Sequence, residues 1–310
     1  MPRKNTKYVH GTHNKPRSTH FFIIFAAMRF CKPVLFIVFS ILFLGANNPN
    51  SSTSCKEILN NMLDSIRVIK TTRYNLKATE RVDGHLLFSE STIKINEQPQ
   101  KIYFCGRDKN IEVLWVQNTN GGNAIVHSKT FPFINMDLDP YGSVMRRNQH
   151  HTIFDLGFHY IGKTIETTIE KSPKDFDKHF SFAGTLIWNK IDCYQILISY
   201  PEYKYIEHLT QKGETVTSIA KLYNTSDFKI RYKNNLSSYF GAIKEGKRLQ
   251  VPVPYSNRAI LLIDKKTFLP VSIKIYDEEG LFEAYEFYNV KINTPFAYDE
   301  FSKDFKEYDF

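Results

Sequence analysis

The chain has 310 residues, 41 basic against 32 acidic, and a formal charge of +9, which taken alone would point to a nucleic-acid partner. The distribution excludes that reading: seven basic residues (Arg3, Lys4, Lys7, Lys15, Arg17, Arg29 and Lys32) precede Val34, no acid precedes Glu57, and the rest holds 34 basic residues against 32 acidic. Hydrophobic residues at 42% and aromatics at 15% exclude wholesale disorder.

The first feature in chain order is a leader, residues 1–46. Val34 to Leu44 is uncharged, follows Arg29 and Lys32, and ends at Gly45-Ala46-Asn47. That is the layout of a secretory signal. Its eleven residues rise about 16 Å as a helix, short of the roughly 30 Å hydrocarbon core. Met28 is a candidate true start that would give a signal of ordinary length. The competing expectation is an uncleaved anchor running from Phe21 to Leu44. The protein is therefore expected in the periplasm or cell envelope, free or tethered by that leader. Ser52 stands three positions before Cys55, where a bacterial lipidation site wants an apolar residue. Cys31 leaves with the signal. Cys105 and Cys193 can pair or stay as buried thiols, and no C-x-x-C is present.

Ile58, Met62, Ile66 and Ile69, widened by Leu59 and Leu63, predict an amphipathic helix over 56–71. The period then changes to two. Residues 74–82, 86–95, 101–105, 111–117 and 124–127 predict an antiparallel meander of about five strands, with Asp83-Gly84 as a tight turn. Asp139-Pro140-Tyr141-Gly142 reads as a loop. Phe154, Phe158, Ile161 and Ile165 give 150–171 a partly helical reading, and 172–178 reads as a turn. Strands follow at 180–186 and 193–200, and three more between Ile260 and Ile292, turning at Asp264–Thr267 and Asp277–Gly280.

Residues 203–254 have a different texture: strand, helix, helix, strand. They carry Tyr205, Gly213-Glu214-Thr215-Val216, Ile219-Ala220, Tyr223, Asn234, Gly246 and Leu249-Gln250-Val251-Pro252. This stretch resembles a LysM module, departing from the family in Glu214, where Asp is usual, and in a long stretch from Asn234 to Gly246. The resemblance implies a ligand such as peptidoglycan or another N-acetylglucosamine polymer. It places the groove between Gly213, Glu214, Thr215 and Val216 on one side and Asn234, Asn235 and Leu236, extending to Tyr239, on the other. From the residues alone, Thr215 is placed to cap the first helix.

The flanking segments, 55–202 and 255–310, hold Glu80-Arg81-x-Asp83-Gly84, Leu138-Asp139-Pro140-Tyr141-Gly142, Asp264 to Pro270 and Tyr285-Glu286-Phe287. They are similar to an uncharacterised bacterial envelope family, a domain of unknown function, with the fold of LolA-like lipoprotein carriers. The implied fold class is α+β: an incomplete antiparallel β-barrel covered by helices, with the βααβ LysM-like module inserted. The implied client is a lipid or lipoprotein held in an apolar hollow. A bent sheet under helices leaves such a hollow on physical grounds. Tyr103, Trp115, Phe180, Phe182, Trp188 and Tyr194 are the aromatic candidates to line it.

No His-Glu-x-x-His, Gly-x-Ser-x-Gly or phosphate-loop motif is present. His150 and His151 are adjacent, so on a strand or helix they would diverge and make a poor metal pair. The expectation is a non-enzymatic envelope protein with no cofactor, no metal and no nucleic acid, meeting a membrane only through its leader. Two readings compete with it: a structural cell-wall adaptor that binds protein, and a peptidoglycan-acting enzyme using His150, His151 and Asp139.

Overall fold

A computed structural model describes residues 54–107, 110–171 and 173–310. The leader, with its two candidate starts, lies outside the described residues. The first described element is helix α1 (Cys55–Arg67), whose N-cap Ser54 accepts a hydrogen bond from the Glu57 amide. Ile58, Leu59, Met62, Leu63 and Ile66 form its buried stripe. The meander follows as β1 (Thr71–Val82), β2 (His85–Asn96), β3 (Lys101–Gly106), β4 (Ile111–Val116), β5 (Ala124–Ser128) and β6 (Asn135–Leu138). β6 was not expected; its Asn-Met-Asp-Leu is too polar and too short to stand out as a strand.

Helix α2 spans Phe158–Lys171 and the one-turn α3 spans Phe176–His179. α2 starts eight residues later than the periodicity suggested because Gly157 has φ +92, a conformation that ends helical geometry. Phe154 instead lies in a short 3₁₀ turn and meets Trp115 edge-on. The chain continues as β7 (Phe180–Trp188), β8 (Ile191–Ser199), β9 (Lys204–Leu209), α4 (Val216–Tyr223), α5 (Asp227–Lys233), β10 (Arg248–Val253), β11 (Arg258–Asp264), β12 (Pro270–Asp277) and β13 (Gly280–Ile292).

Eleven strands form one antiparallel sheet in the order β6-β5-β4-β3-β2-β1-β13-β12-β11-β8-β7. β6 and β7 are its two free edges, so the sheet stays open, as the incomplete barrel requires. α1 and α2 pack together on one face. Their contact is close because Gly162 meets Ile66: an added Cβ there would sit 3.1 Å from the Ile66 side chain. Beneath them lies a core of Ile58, Met62, Tyr74, Ile93, Phe158, Ile196, Leu261 and Phe287. Fully burying one such side chain contributes about 1.5–3 kcal/mol.

β9 and β10 form a separate two-stranded ribbon. It leaves β8 and returns to β11, which are paired neighbours with Ser199 opposite Arg258. The ends of the βααβ segment are therefore close, and the main sheet tolerates the insertion. The segment is also fastened to the sheet. Its core of Val216, Ile219, Phe228, Ile230, Leu249 and Val251 continues into Val82 and Phe282 of the sheet. The final residues cover the face opposite the helices, where Tyr308 stacks on Tyr103 at 3.9 Å. Lys129 there bridges Glu112 and Asp309 at 2.8 Å each.

Candidate functional site

The curved sheet and α2 enclose a cavity of about 1000 Å³, at the upper end of the usual size of small-molecule sites. The sheet supplies a largely apolar floor, including Leu76, Phe104, Val113, Leu261, Ile275 and Phe287. α2 supplies Tyr160, Ile161, Thr164 and Ile165 as a roof. The inserted segment completes the wall with Tyr223 and Asn224 at the end of α4, and with Val253 to Tyr255 at the end of β10. Alternation explains the floor: residues 74, 76, 78 and 80 of β1 share one face, so every second side chain points inward.

The same alternation corrects the aromatic candidates. Of the six, Phe180 lines the cavity. Tyr103 lies between Ile102 and Phe104 and so points to the opposite face, toward Tyr308 and Glu112. Trp188 packs with Cys193, Leu262 and Val271 in a cluster separate from the main core. Trp115 is capped by Phe154 and donates its indole N–H to the Gly122 carbonyl. Phe182 and Tyr194 contact each other, and Tyr194 stacks on Phe268 away from the cavity wall. Strand parity sends Tyr103 outward, whereas Trp115 shares the face of Ile111 and Val113, and Tyr194 that of Ile198, and both lie past the end of the cavity lining. Cys55, Cys105 and Cys193 are free thiols, so the Cys105–Cys193 pairing is not made.

One part of the cavity wall is strongly polar. Glu283 of β13 accepts from His150 Nδ1 (2.9 Å), His151 Nε2 (3.2 Å), Tyr255 Oη (2.8 Å) and Tyr285 Oη (3.2 Å). The single Tyr285 proton is shared with Glu80, the nearer acceptor at 2.7 Å, and the His150 amide donates to the other Glu80 oxygen. The His150 ring has its second nitrogen 3.0 Å from the Arg81 carbonyl.

The electrostatics follow. Burial alone would push the Glu283 carboxyl up, but His151 and His150 outweigh it and hold Glu283 well below the usual range. Burial alone would pull the His151 imidazolium down, but Glu283, with Asp155 and Glu80, raises it to about 9. Burial drives the Tyr160, Tyr255 and Tyr285 hydroxyls upward, so they stay neutral donors.

The adjacent histidines therefore converge on one carboxylate. The strand-or-helix argument for divergence does not apply, because residues 148–152 form neither, and Asn148 has φ +55. Ligand atoms of Glu80, His151 and Glu283 lie within 4.8 Å of one another, a spacing a divalent ion could bridge. In the structure His151 Nε2 donates to Glu283, and the Glu80 oxygens accept from Tyr285 and the His150 amide, so these atoms already have partners within the protein. Asp139 stands apart: its carboxylate accepts from the Tyr141 amide and its carbonyl from Gly142, which makes it a turn residue. The Glu80–Glu283 pairing was missed in the sequence, since the two lie 203 positions apart; the only local signal was a glutamate at an inward position on each strand.

In the inserted segment, Thr215 caps α4 by accepting from the Ser218 amide, and Ser218 Oγ accepts from the Thr215 amide in return. Val216 is fully buried, so it serves the core. Glu214 accepts from the Gln211 amide at 2.8 Å and contacts His208 Nε2 at 2.8 Å. His208 Nδ1 lies 3.0 Å from the hydroxyl of Tyr223, a residue of the cavity wall. Asn234 ties α5 to β10, donating to the Gln250 carbonyl and accepting from the Gln250 amide. The Leu236 amide bonds back to Arg231. The segment that meets the Gly213–Val216 loop lies further on: the Ile243 amide bonds to the Glu214 carbonyl, and the Thr217 amide to the Tyr239 carbonyl.

Family comparison agrees with this geometry. Residues 208–252, the βααβ ribbon with its two helices, match the LysM domain model, and residues 69–205 match a family described as protein of unknown function, DUF1571. No curated protein matches the chain.

Among solved structures, the chain is similar to a DUF1329 family protein from Desulfovibrio piger, at 10% identity, TM-score 0.32, covering 80% of this chain and 97% of that one. It is similar to Mycobacterium tuberculosis lipoprotein LppX at 13% identity, TM-score 0.38, covering 78% and 97%. The complex structure of Pseudomonas aeruginosa MucA/MucB gives 12% identity and TM-score 0.37, covering 80% of this chain and 60% of that one. The segment that matches the LysM model is joined to the sheet through Phe228 of α5 and contributes Tyr223 and Asn224 to the cavity wall. Among the described residues no helix is long and apolar enough to cross a membrane.

Proposed function

We propose that this is an exported, non-enzymatic envelope protein that holds a hydrophobic or lipidated ligand in the sheet cavity and contacts peptidoglycan-type glycan through the LysM domain. The division into 55–202 plus 255–310 on one side and 203–254 on the other is part of that reading. The cavity carries it: about 1000 Å³ of largely apolar space is costly to leave empty, and a hydrocarbon chain fills it without asking for polar partners. The Glu283 cluster supplies one polar end, where the Tyr160 hydroxyl, 3.4 Å from His151 Nδ1, is the group offered to the head of an amphiphile. The LysM match supports the glycan contact, with the loops at Gly213–Val216 and Tyr239–Ile243 as its groove.

Native mass spectrometry of protein purified from its own envelope tests the cavity. The expected result is a co-purifying lipid mass that denaturation releases. A clean apo mass, together with failure to take up a fluorescent fatty-acid probe, would remove the reading. Retention on insoluble peptidoglycan tests the LysM contact, and amino-terminal sequencing of the mature protein tests export.

A further inference from the structure

We propose that the cavity takes a lipid with two hydrocarbon chains joined at an uncharged ester waist; this rests on the cavity reading and names its ligand class. The strand order carries it. Every strand of the eleven-stranded sheet contributes to the cavity, from Met136 of β6 to Phe180 of β7. Glu80 and Glu283 stand opposite each other on β1 and β13, in the interior of that order. The polar group thus lies at one end of the cavity along the strands, but between two wings across them. Five strand spacings separate β1 from β6 and four separate β13 from β7, roughly 24 and 19 Å at the usual interval. Both wings are apolar. In one, Val113, Val126 and Met136 stand opposite one another across β4, β5 and β6, in a cluster with Met145 and Ile153. In the other, Ile273 faces Leu261 and Ile198 faces Phe180, in the cluster that holds Ile161 and Ile165 of α2.

Between the wings the floor is interrupted by hydroxyls: Ser89 and Ser91 of β2 line the cavity opposite Ala78 and Leu76 of β1. One straight chain running from wing to wing lays hydrocarbon over those serines and the carboxylates beside them, which costs their hydration. A lipid branched at its polar part puts each chain on an apolar wing instead. The charge of the waist follows from its surroundings. Glu80, Glu283 and Asp155 all line the cavity, and His150 and His151 answer them only in part. A carboxylate or phosphate at that level adds like charge. Ester oxygens accept from the Tyr160 hydroxyl, and a glycerol hydroxyl donates to a carboxylate, without adding any. Arg147, Lys171 and Lys204 also line the cavity, as does Glu202, but all four are exposed, so a charged headgroup is left to the mouth.

The test is native mass spectrometry of the delipidated full chain offered oleic acid, monooleoylglycerol or 1,2-dioleoylglycerol from cyclodextrin. Expected is one dioleoylglycerol per chain, held on the order of 100-fold more tightly than monooleoylglycerol, because joining the chains makes filling of the second wing intramolecular. Met136→Trp and Ile198→Trp each fill one wing at a partly buried position. Either should lower dioleoylglycerol affinity roughly tenfold or more and change that of monooleoylglycerol by no more than about threefold, since one wing still takes a single chain. Dioleoylglycerol bound no more tightly than monooleoylglycerol, or unaffected by both substitutions, overturns the proposal and leaves the cavity reading in place. A chain that takes up none of the three lipids removes the cavity reading, and the proposal with it. The comparison in the parent protein decides even where a Trp variant does not fold. A cysteine peptide carrying an S-diacylglyceryl group, run beside dioleoylglycerol, separates the two sources of such a waist: tighter binding assigns a lipidated protein, weaker binding a free glycerolipid.

Discussion

α1 and α2 meet the sheet through hydrocarbon, whereas the LysM-like segment adds buried charge to its apolar contact with Val82 and Phe282. Under α1 and α2 the contacts are Ile58, Met62, Tyr74, Phe158 and Phe287. Under α5, Lys229 reaches Asp277 at 3.2 Å, lies over the Phe282 ring at 4.1 Å and donates to the Tyr255 carbonyl. Arg81 donates to both oxygens of the same Asp277, and Arg146 pairs with Asp227 at 2.9 Å. Burial pulls the Lys229 ammonium down against Asp277, and Lys229 and Arg81 together hold the Asp277 carboxyl low against its own burial. The apolar seam tolerates gradual change, since hydrocarbon contacts are non-directional. The charged seam demands completeness, because a buried ion without its partner costs far more than the pair contributes.

The largest expected effects set the two seams side by side. Phe158→Ala should cost about 3–5 kcal/mol by opening a cavity between α2 and the sheet. Asp277→Ala should cost about as much, 3–5 kcal/mol, because it strands Arg81 and Lys229. Urea denaturation measures both. A cost below about 1 kcal/mol for Asp277→Ala would show that the seam is solvated and behaves as a surface pair. The mirror case is Glu283→Gln, which leaves two imidazole rings facing a neutral amide. It should destabilise the chain and, if the Glu283 end positions the ligand head, weaken fatty-acid probe uptake as well.

A smaller effect separates the seams by pH. Folding raises His151 from its ordinary 6.5 to about 9, because Glu283 outweighs burial. The proton is bound more tightly in the folded chain, so its stabilisation is complete below about 6.5. It is then lost as pH rises through about 9. The loss should be on the order of 3 kcal/mol at most. Denaturation midpoints between pH 6 and 10 should fall across that window in the parent protein and stay flatter in His151→Gln. Phe158→Ala should keep the parent's slope. A parent protein with a flat profile would show that His151 is not charged in the folded chain.

The same contrast explains what the sequence disclosed. The α1 stripe and the meander were legible because burial repeats locally at 3.6 or 2 residues. The LysM ribbon was legible because its glycine, cap and closing Leu-x-Val-Pro sit at fixed spacing. The open sheet followed from the family resemblance and not from any one residue. The charged seam was invisible: Arg81 finds Asp277 from 196 positions away, and Glu80 joins Glu283 only because β1 pairs with β13. Tyr103 was misassigned for a simpler reason. Ile102 and Phe104 on either side already marked the inward face, and parity should have sent Tyr103 outward. His150 and His151 were misjudged because an irregular loop obeys neither period.

The smallest effect asks whether the two seams join one cooperative body. Thr215→Ala removes the cap of α4 and strands the Ser218 amide, which should cost about 1 kcal/mol. The substitution touches only the LysM ribbon, far in sequence from α1 and α2. Hydrogen exchange then distinguishes two arrangements. If the charged seam couples the ribbon to the sheet, the slowest amides of β1 and β13 lose the same increment as those of α4, since both report one global opening. If the ribbon opens independently, α4 and β10 exchange faster while β1 and β13 are unchanged. The continuous core through Val82, Phe228 and Phe282 favours the first outcome. Combining Thr215→Ala with Asp277→Ala sharpens it: breaking the seam should uncouple the ribbon, so that the cap's cost no longer appears in the sheet.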